Sequence, residues 1–269
     1  MGRAATKTSN HKPQALTNFH NIMVKKHERR SHLKPEQKLE GGVFDVQTLV
    51  ALRKLMKTGF IDKLDGPIAT GKEADVFLAR LKDEPRVVKI FRIETTSFKN
   101  ILPYIQGDPR FRIRRKRHEI VFEWAKKEFR NLERAHYAGL KVPKPYKVMR
   151  NILIMGLIGT DSTPAPQLNT IPTGEIKNPK KLAKDLLEFL KQLHKKAGLV
   201  HADFSEFNIL MKSAGEPYVV DFAQAVLTDS RNAKDFLGRD VENYIRYFAK
   251  YKLDFDKEKV LKEIIGENH

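Results

Sequence analysis

Residues 199–226 read LVHADFSEFNILMKSAGEPYVVDFAQAV. The apolar runs Ile209–Met211 and Tyr218–Val220 flank Ser213-Ala-Gly-Glu-Pro217, which predicts a short β-hairpin. Such a hairpin sets Asn208, entering its first strand, beside Asp221, leaving its second. With His201 and Asp203 the spacing is H-x-D-x-x-x-x-N followed by D-F. That set of residue types suits phosphoryl transfer. One carboxylate, Asp203, must orient the attacking hydroxyl or water and take its proton. An amide and a second carboxylate, Asn208 and Asp221, must hold the hard cation that bridges a triphosphate. Asp203 is therefore the expected proton acceptor, and Asn208 with Asp221 the expected metal ligands. Mg2+ is the expected ion, with Mn2+ as an alternative, and ATP the expected nucleotide.

The chain has 269 residues, 41% of them hydrophobic, enough for one two-lobed domain with a sizeable core. It contains no apolar run near the roughly 18 residues that a spanning helix needs, so no membrane association is expected. The absence of cysteine excludes disulfides, thiolate metal sites and thiol nucleophiles, and fits a cytoplasmic location. The formal net charge of +18 is far more than a nucleotide requires and points to a polyanionic partner such as RNA or a ribosomal particle. Residues 1–42 are polar and basic, with the run Lys25-Lys-His-Glu-Arg-Arg30, and predict a flexible arm.

Upstream of the hairpin the pattern is that of a small β-rich lobe. Asp45 caps a predicted helix through Lys57, with Val46, Leu49, Leu52 and Leu55/Met56 on its inner face and Gly59 past its end. Gly66 to Lys72 meets the G-x-x-x-x-G-K part of a Walker A loop, but Glu73 stands where a hydroxyl must meet the metal. The stretch is better read as a strand-loop-strand cover over phosphates. Lys89, in the strand Val87–Ile90, would neutralise the α- and β-phosphates. Glu119 to Ala138 is an amphipathic helix whose stripe of Val121, Trp124, Ala125, Leu132 and Ala135 is interrupted by Glu128. A carboxylate on a buried face needs a charged partner, and Lys89 is the one expected. Between them, residues 92–118 read as a flexible loop ending in the basic cluster Arg110, Arg112, Arg114, Arg115, Lys116 and Arg117. A second hairpin, Tyr146–Met149 and Ile152–Met155, leads into Gly156-Leu-Ile-Gly159. In a kinase-like fold this is the connector between lobes. Backbone groups of Gly156 and Ile158 would bond the adenine edge and Met155 would line its pocket. Pro179 opens a helix with Leu182, Leu186, Phe189, Leu190 and Leu193 inward, ended by Gly198. Only 48 residues follow Asp221, and no A-P-E segment occurs among them.

These stretches together resemble the RIO family of atypical serine/threonine protein kinases, in its type-one, archaeal-like branch. The residues that carry the resemblance are Thr70-Gly-Lys-Glu-Ala-Asp-Val-Phe77, Val88-Lys-Ile-Phe-Arg-Ile-Glu94, Trp124-Ala-Lys-Lys-Glu-Phe-Arg-Asn-Leu132, His201-Ala-Asp-Phe-Ser-Glu-Phe-Asn-Ile-Leu210 and Val220-Asp-Phe-Ala-Gln-Ala-Val226. A type-two member would carry an N-terminal winged helix, for which the stretch before Val43 is too short and polar. The implied fold is α+β and two-lobed: a basic arm over 1–42, a kinase N-lobe over 43–158 with one long helix and a flexible basic loop at 92–118, and a reduced, mostly helical C-lobe over 159–269. The resemblance implies ATP held by Lys89 and Glu128, with Thr70, Gly71, Lys72 and Glu73 near the phosphates. It implies Asp203 as acid/base, Asn208 and Asp221 on magnesium, and an aspartyl-phosphate on Asp221. It also implies a role in maturation of the small ribosomal subunit, among rRNA and ribosomal proteins, as an ATPase switch. Gly156 departs from relatives that carry an acidic residue there, which leaves adenine recognition to the backbone.

The short tail after Asp221 leaves no room for a peptide-holding activation segment. An ATP-hydrolysing, autophosphorylating switch is therefore expected. The alternatives are a kinase for a separate protein substrate and a non-catalytic RNA-binding assembly factor gated by ATP.

Overall fold

The computed structural model describes residues 44–94, 98–105, 108–111, 116–160, 163–212 and 215–266. The basic arm and three of the arginines of the basic cluster, Arg112, Arg114 and Arg115, lie outside them. The fold is α+β and kinase-like. Its first lobe is a five-stranded antiparallel sheet in the order β1-β2-β3-β5-β4, built from β1 (Lys63–Thr70), β2 (Ala74–Leu81), β3 (Glu84–Phe91), β4 (Pro145–Met149) and β5 (Ile152–Gly156). β3 is central, and its residues from Arg86 to Phe91 are all buried. A strand covered on both faces reads as a continuous apolar run, and here the run Val87–Phe91 is broken only by Lys89.

Strand alternation decides which way that lysine faces. Val88 and Ile90 join Ala51, Leu52 and Leu55 of helix α1 (Val46–Lys57) in one core cluster. Phe91 and Leu153 join Val121, Trp124 and Ala125 of the long helix α3 (Arg117–Tyr137) in another. Lys89 pairs with Leu153 across the sheet and so points to the α3 side. Helix α1 is capped as its sequence dictates: the Asp45 carboxylate accepts from the Thr48 N–H at 2.8 Å. Thr48 and Asn151 share a buried hydrogen bond that ties α1 to the β4–β5 turn. Val46, however, is 76% exposed rather than inward. It is the first helical residue, and the inner face is made by Thr48, Ala51, Leu52 and Leu55.

The expected loop over 92–118 is also corrected. It contains a helix, α2 (Phe98–Ile105). Pro103 inside it argues against a helix on local grounds. Ile101 and Ile105, four residues apart, are nonetheless buried against Trp124 and its neighbours, and Tyr104 stacks on Phe236 at 5.1 Å. Tertiary packing overrides the proline. Gly66, for its part, lies within β1 beside an irregularity at Pro67, so the phosphate-side turn is confined to Gly71–Glu73.

The second lobe forms around helices α4 (Pro179–Lys195), α5 (Ala233–Ala249) and α6 (Lys257–Ile265). Two short strand pairs complete it: β6 (Gly159–Thr160) with β7 (Thr163–Pro164), and β8 (Leu199–Val200) with β11 (Val226–Leu227). The hairpin read from sequence is β9 (Ile209–Lys212) with β10 (Glu216–Val219), and Ile209 lies opposite Val219. After β11 the described residues hold α5 and α6 and no further helix, so the lobe is a reduced one. Leu132 and Ala135 of α3 belong to this lobe's core, whereas Val121 and Trp124 belong to the other. One helix thus serves both lobes.

Leu52→Ala empties a site with no solvent exposure between α1 and the sheet. It is expected to lower the unfolding free energy by about 2–5 kcal/mol, whereas Val46→Ser shifts it by less than about 0.5 kcal/mol. Denaturant titration followed by Trp124 fluorescence reads both.

Candidate functional site

The site lies where the α3 side of the sheet meets the hairpin. The Lys89 ammonium donates to both oxygens of Glu128, at 3.0 and 2.8 Å, and stands 3.1 Å from the Asp221 carboxylate. Glu128 is 1% exposed and Lys89 8%, so their bridge is a buried ion pair rather than a surface one, whereas the Asp221 side chain is 42% exposed and faces the opening of the site. Burial is the largest influence on Lys89 and would lower its pKa. The charges of Asp221 and Glu128 and their hydrogen bonds outweigh it, so the lysine is held firmly protonated. Two carboxylates on one ammonium leave an excess of negative charge. Burial, together with the Asp221 charge, lifts Glu128 to about 7 against the pull of Lys89. Asp221 is also pushed up by burial, but the adjoining Lys89, His201 and the Ala223 N–H bring it below the usual carboxylate range.

Asp203 and Asn208 close the lower side. The Asn208 amide donates to the Asp203 carboxylate at 2.9 Å and to its backbone carbonyl at 2.8 Å. Burial, then the Asp221 charge, lifts Asp203 to about 6; Asn208 opposes this and Glu73 adds to it. Asn208 was expected to turn toward Asp221. Here its Nδ2 is spent on Asp203, while its carbonyl takes the Val220 N–H at 2.9 Å, next to Asp221 in the chain. The side-chain amide oxygen would then be the atom that meets a cation shared with Asp221. His201 is wholly buried; burial pulls it down to about 4, so it is neutral, and its Nε2 lies 3.2 Å from the Val220 carbonyl. It cross-links the two loops and packs edge-on to Phe222 at 4.8 Å. Asp221 and Ala202 both adopt left-handed backbone, at φ 63° and 66°. Non-glycine residues held there cost on the order of 1–3 kcal/mol each and cluster at functional sites.

Of the remaining expected residues, Glu73 comes into the field of the site. Burial, then the Asp221 charge, raises it, and Lys89 opposes. It hangs there from the β1–β2 turn, whose Thr70, Gly71 and Lys72 are exposed. The turn is pinned by the Gly71 N–H on the Ala74 carbonyl at 2.9 Å and the Arg92 N–H on the Glu73 carbonyl at 2.8 Å. Met155 packs against the cores of both lobes and so sits at their junction. In the connector, the Gly156 N–H is taken by the Lys144 carbonyl and the Ile158 carbonyl by the Ala165 N–H, both at 2.8 Å. Adenine recognition would then fall to the opposite groups, the Gly156 carbonyl and the Ile158 N–H.

Three buried polar residues that hold the backbone around Asp203 and Asp221 escaped the sequence reading. Asp240 on α5 accepts from the N–H groups of Ala202 and Phe204, at 2.8 and 2.9 Å, on either side of Asp203. Burial lifts its carboxyl to about 7 against those two bonds. Lys127 and Asn131, on α3, donate to backbone carbonyls just after Asp221. Burial, then the Arg110 charge, pulls Lys127 down to about 7. All three partners are backbone groups, which carry no residue identity to search for.

Glu128 and Asp221 thus share the Lys89 ammonium, and Glu73, Asp203 and Glu128 are all pushed up by burial and by the Asp221 charge. That donor set fits a hard divalent cation. Among the described residues no three His, Cys, Asp or Glu side chains form a complete metal cage. Mg2+ does not need one, because it takes one or two protein oxygens and fills its shell with water and phosphate.

Residues 75–260 match the RIO domain family. The RIO-type serine/threonine-protein kinase Rio1 of Haloferax volcanii is 41% identical over 232 residues, covering 86% of this chain and 78% of the relative. The protein of the same description in Methanocaldococcus jannaschii is 38% identical over 226 residues, covering 84% and 76%. Among solved structures, the Rio2 kinase–ADP/Mg2+–phosphoaspartate complex from Chaetomium thermophilum is similar with a TM-score of 0.63 and 25% identity. That match covers 82% of this chain and 66% of the other.

Asp240→Asn turns an amide NH2 toward one of two buried N–H donors. It is expected to lower stability by about 1–3 kcal/mol and to speed amide hydrogen exchange at Ala202 and Phe204 selectively.

Proposed function

The chain belongs to the RIO family of atypical serine/threonine protein kinases, in its Rio1 branch, and from that premise we propose that it is an ATP-driven switch that phosphorylates its own Asp221. The observation that carries the reading is the Lys89 ammonium held between Glu128 and Asp221. It supports a cationic seat for the α- and β-phosphates directly beside a carboxylate able to accept the γ-phosphoryl group. The Rio2 relative was solved with a phosphoaspartate, which supports the same chemistry here.

In this reading Lys89 orients the nucleotide, and Thr70 to Glu73 cover its phosphates. The Gly156 carbonyl and Ile158 N–H meet the adenine edge beside Met155. An Asp221 oxygen forms a bond to the γ-phosphorus as the bond to the β–γ bridging oxygen breaks, and ADP leaves. Water then attacks the acyl phosphate, gives its proton to Asp203 and releases inorganic phosphate, which restores Asp221. Asn208 and Asp221 would hold Mg2+, which when bound spreads the charge of the transferring group. The net charge of +18 and the reduced second lobe support a polyanionic platform, such as the rRNA and proteins of an immature small ribosomal subunit, over a peptide substrate. A cytoplasmic setting is part of the same proposal.

Asp221→Asn is expected to abolish a hydroxylamine-sensitive phosphoenzyme formed from γ-labelled ATP. Asp203→Ala is expected to slow phosphate release by about 100-fold or more while the phosphoenzyme still forms. Phosphate release at wild-type rate in the Asp203 variant would sink the assignment. Because Asp203 must be ionised to take a proton, turnover rises with pH through its pKa. The acid limb should have a midpoint near about 6, because burial and the neighbouring negative charge hold Asp203 above the ordinary carboxylate range.

A further inference from the structure

We propose that Lys127 and Asn131, which hold no part of the nucleotide, are positioning residues that fix Asp221 by gripping the backbone of the segment that follows it. Lys127 is wholly buried on α3, and its Nζ donates to the carbonyl of Ala223 at 3.0 Å and to that of Ala225. Asn131, one turn further along, donates through Nδ2 to the Phe222 carbonyl at 3.0 Å and to the Ala225 carbonyl at 2.7 Å. Two side chains on one helix face thereby collect three carbonyls from the four residues after Asp221.

The segment needs such donors. It follows a left-handed residue and belongs to no helix or strand until Val226, so its buried carbonyls lack most ladder partners. The Asn131 amide can sit only one way round, because the reverse would set its oxygen against two carbonyl oxygens. Its Oδ1 is buried without a partner among the described residues. A position kept for packing alone would be filled by an apolar residue of that size. An amide with one unsatisfied half is retained for what its other half does.

The grip closes a circuit. Glu128, next to Lys127 in sequence, bonds Lys89, and Lys89 reaches Asp221. From Asp221 the chain runs through Phe222, Ala223 and Ala225 back to α3. Asp221 is therefore held from both sides by one helix: its carboxylate through Lys89 and Glu128, its backbone through Lys127 and Asn131. The inference rests on the proposed role of Asp221 as metal ligand and phosphate acceptor.

The test uses the full chain with Lys127→Met and Asn131→Leu, the second being the milder change should the first fail to fold. The Mg2+ dependence of ATP turnover is measured alongside binding of a fluorescent ATP analogue, both in EDTA and across a Mg2+ titration, with Asp221→Asn in parallel and its Mg2+ requirement read from the binding titration. The expected result is a rise of about tenfold or more in half-saturating Mg2+ with a lower kcat, and metal-free nucleotide affinity within about twofold of wild type. An unchanged Mg2+ requirement in Asn131→Leu, with a shifted one in Asp221→Asn, would overturn the positioning role alone. An unchanged requirement in Asp221→Asn would instead overturn the reading of Asp221. Metal-free nucleotide binding that falls in step with turnover marks general damage to the fold and also counts against the positioning role.

Discussion

A single ammonium caught between two carboxylates, in a place where water is scarce, is the constraint the rest of the molecule answers to. Burying Lys89 alone would strip its charge, and burying Glu128 alone would protonate it. Together they can stay ionised only if strand β3 and helix α3 keep a fixed separation and register. The sheet secures this from one side by making β3 its central strand. The helix secures it from the other with a continuous apolar stripe above and below Glu128. The excess negative charge that remains favours a hard cation at the site.

Helix α3 is more than a wall of that site. Its upper half packs under the sheet through Val121, Trp124 and Ala125, and its lower half enters the helical lobe through Leu132 and Ala135. Its polar residues alternate in the same manner: Glu128 faces the sheet's lysine, while Lys127 and Asn131 face the loop after Asp221. The loop that carries Asp203 is secured in parallel by α5, where Asp240 binds the N–H groups flanking Asp203 and Asn243 donates to the Phe204 carbonyl at 3.0 Å. Asp203 and Asp221 are thus carried on irregular backbone, and each piece of irregular backbone is fixed by a buried group on a regular helix.

How much of this could be read from the residues alone follows from what each contact is made of. His201, Asp203, Asn208 and Asp221 were legible because a hairpin converts their spacing directly into proximity. The Lys89–Glu128 contact was legible because a carboxylate in an apolar stripe demands a charged partner, and one strand lysine stood in an otherwise apolar run. Asp240 sends the same signal, lying among Phe236, Leu237, Val241 and Tyr244 on the buried face of α5. It could have been found by asking the same question. Lys127 and Asn131 were harder, since the atoms they bind belong to backbone of no particular sequence. Helix α2 was hidden by Pro103, whose local penalty is overcome by burial against a partner distant in the chain. The Asn208 amide bonding Asp203 reflects competition among neighbours for one side chain, which spacing does not encode.

The way α3 is shared has a bearing on how the protein comes apart. The connector at residues 156–159 looks like a natural place to divide the chain, yet the cut would not yield two self-sufficient halves. A fragment ending there would leave Leu132 and Ala135 facing solvent, and its complement would lack the helix turns that close its own core. Melting, proteolysis and refolding are therefore properties of the whole, with the two lobes gaining and losing order as one cooperative body.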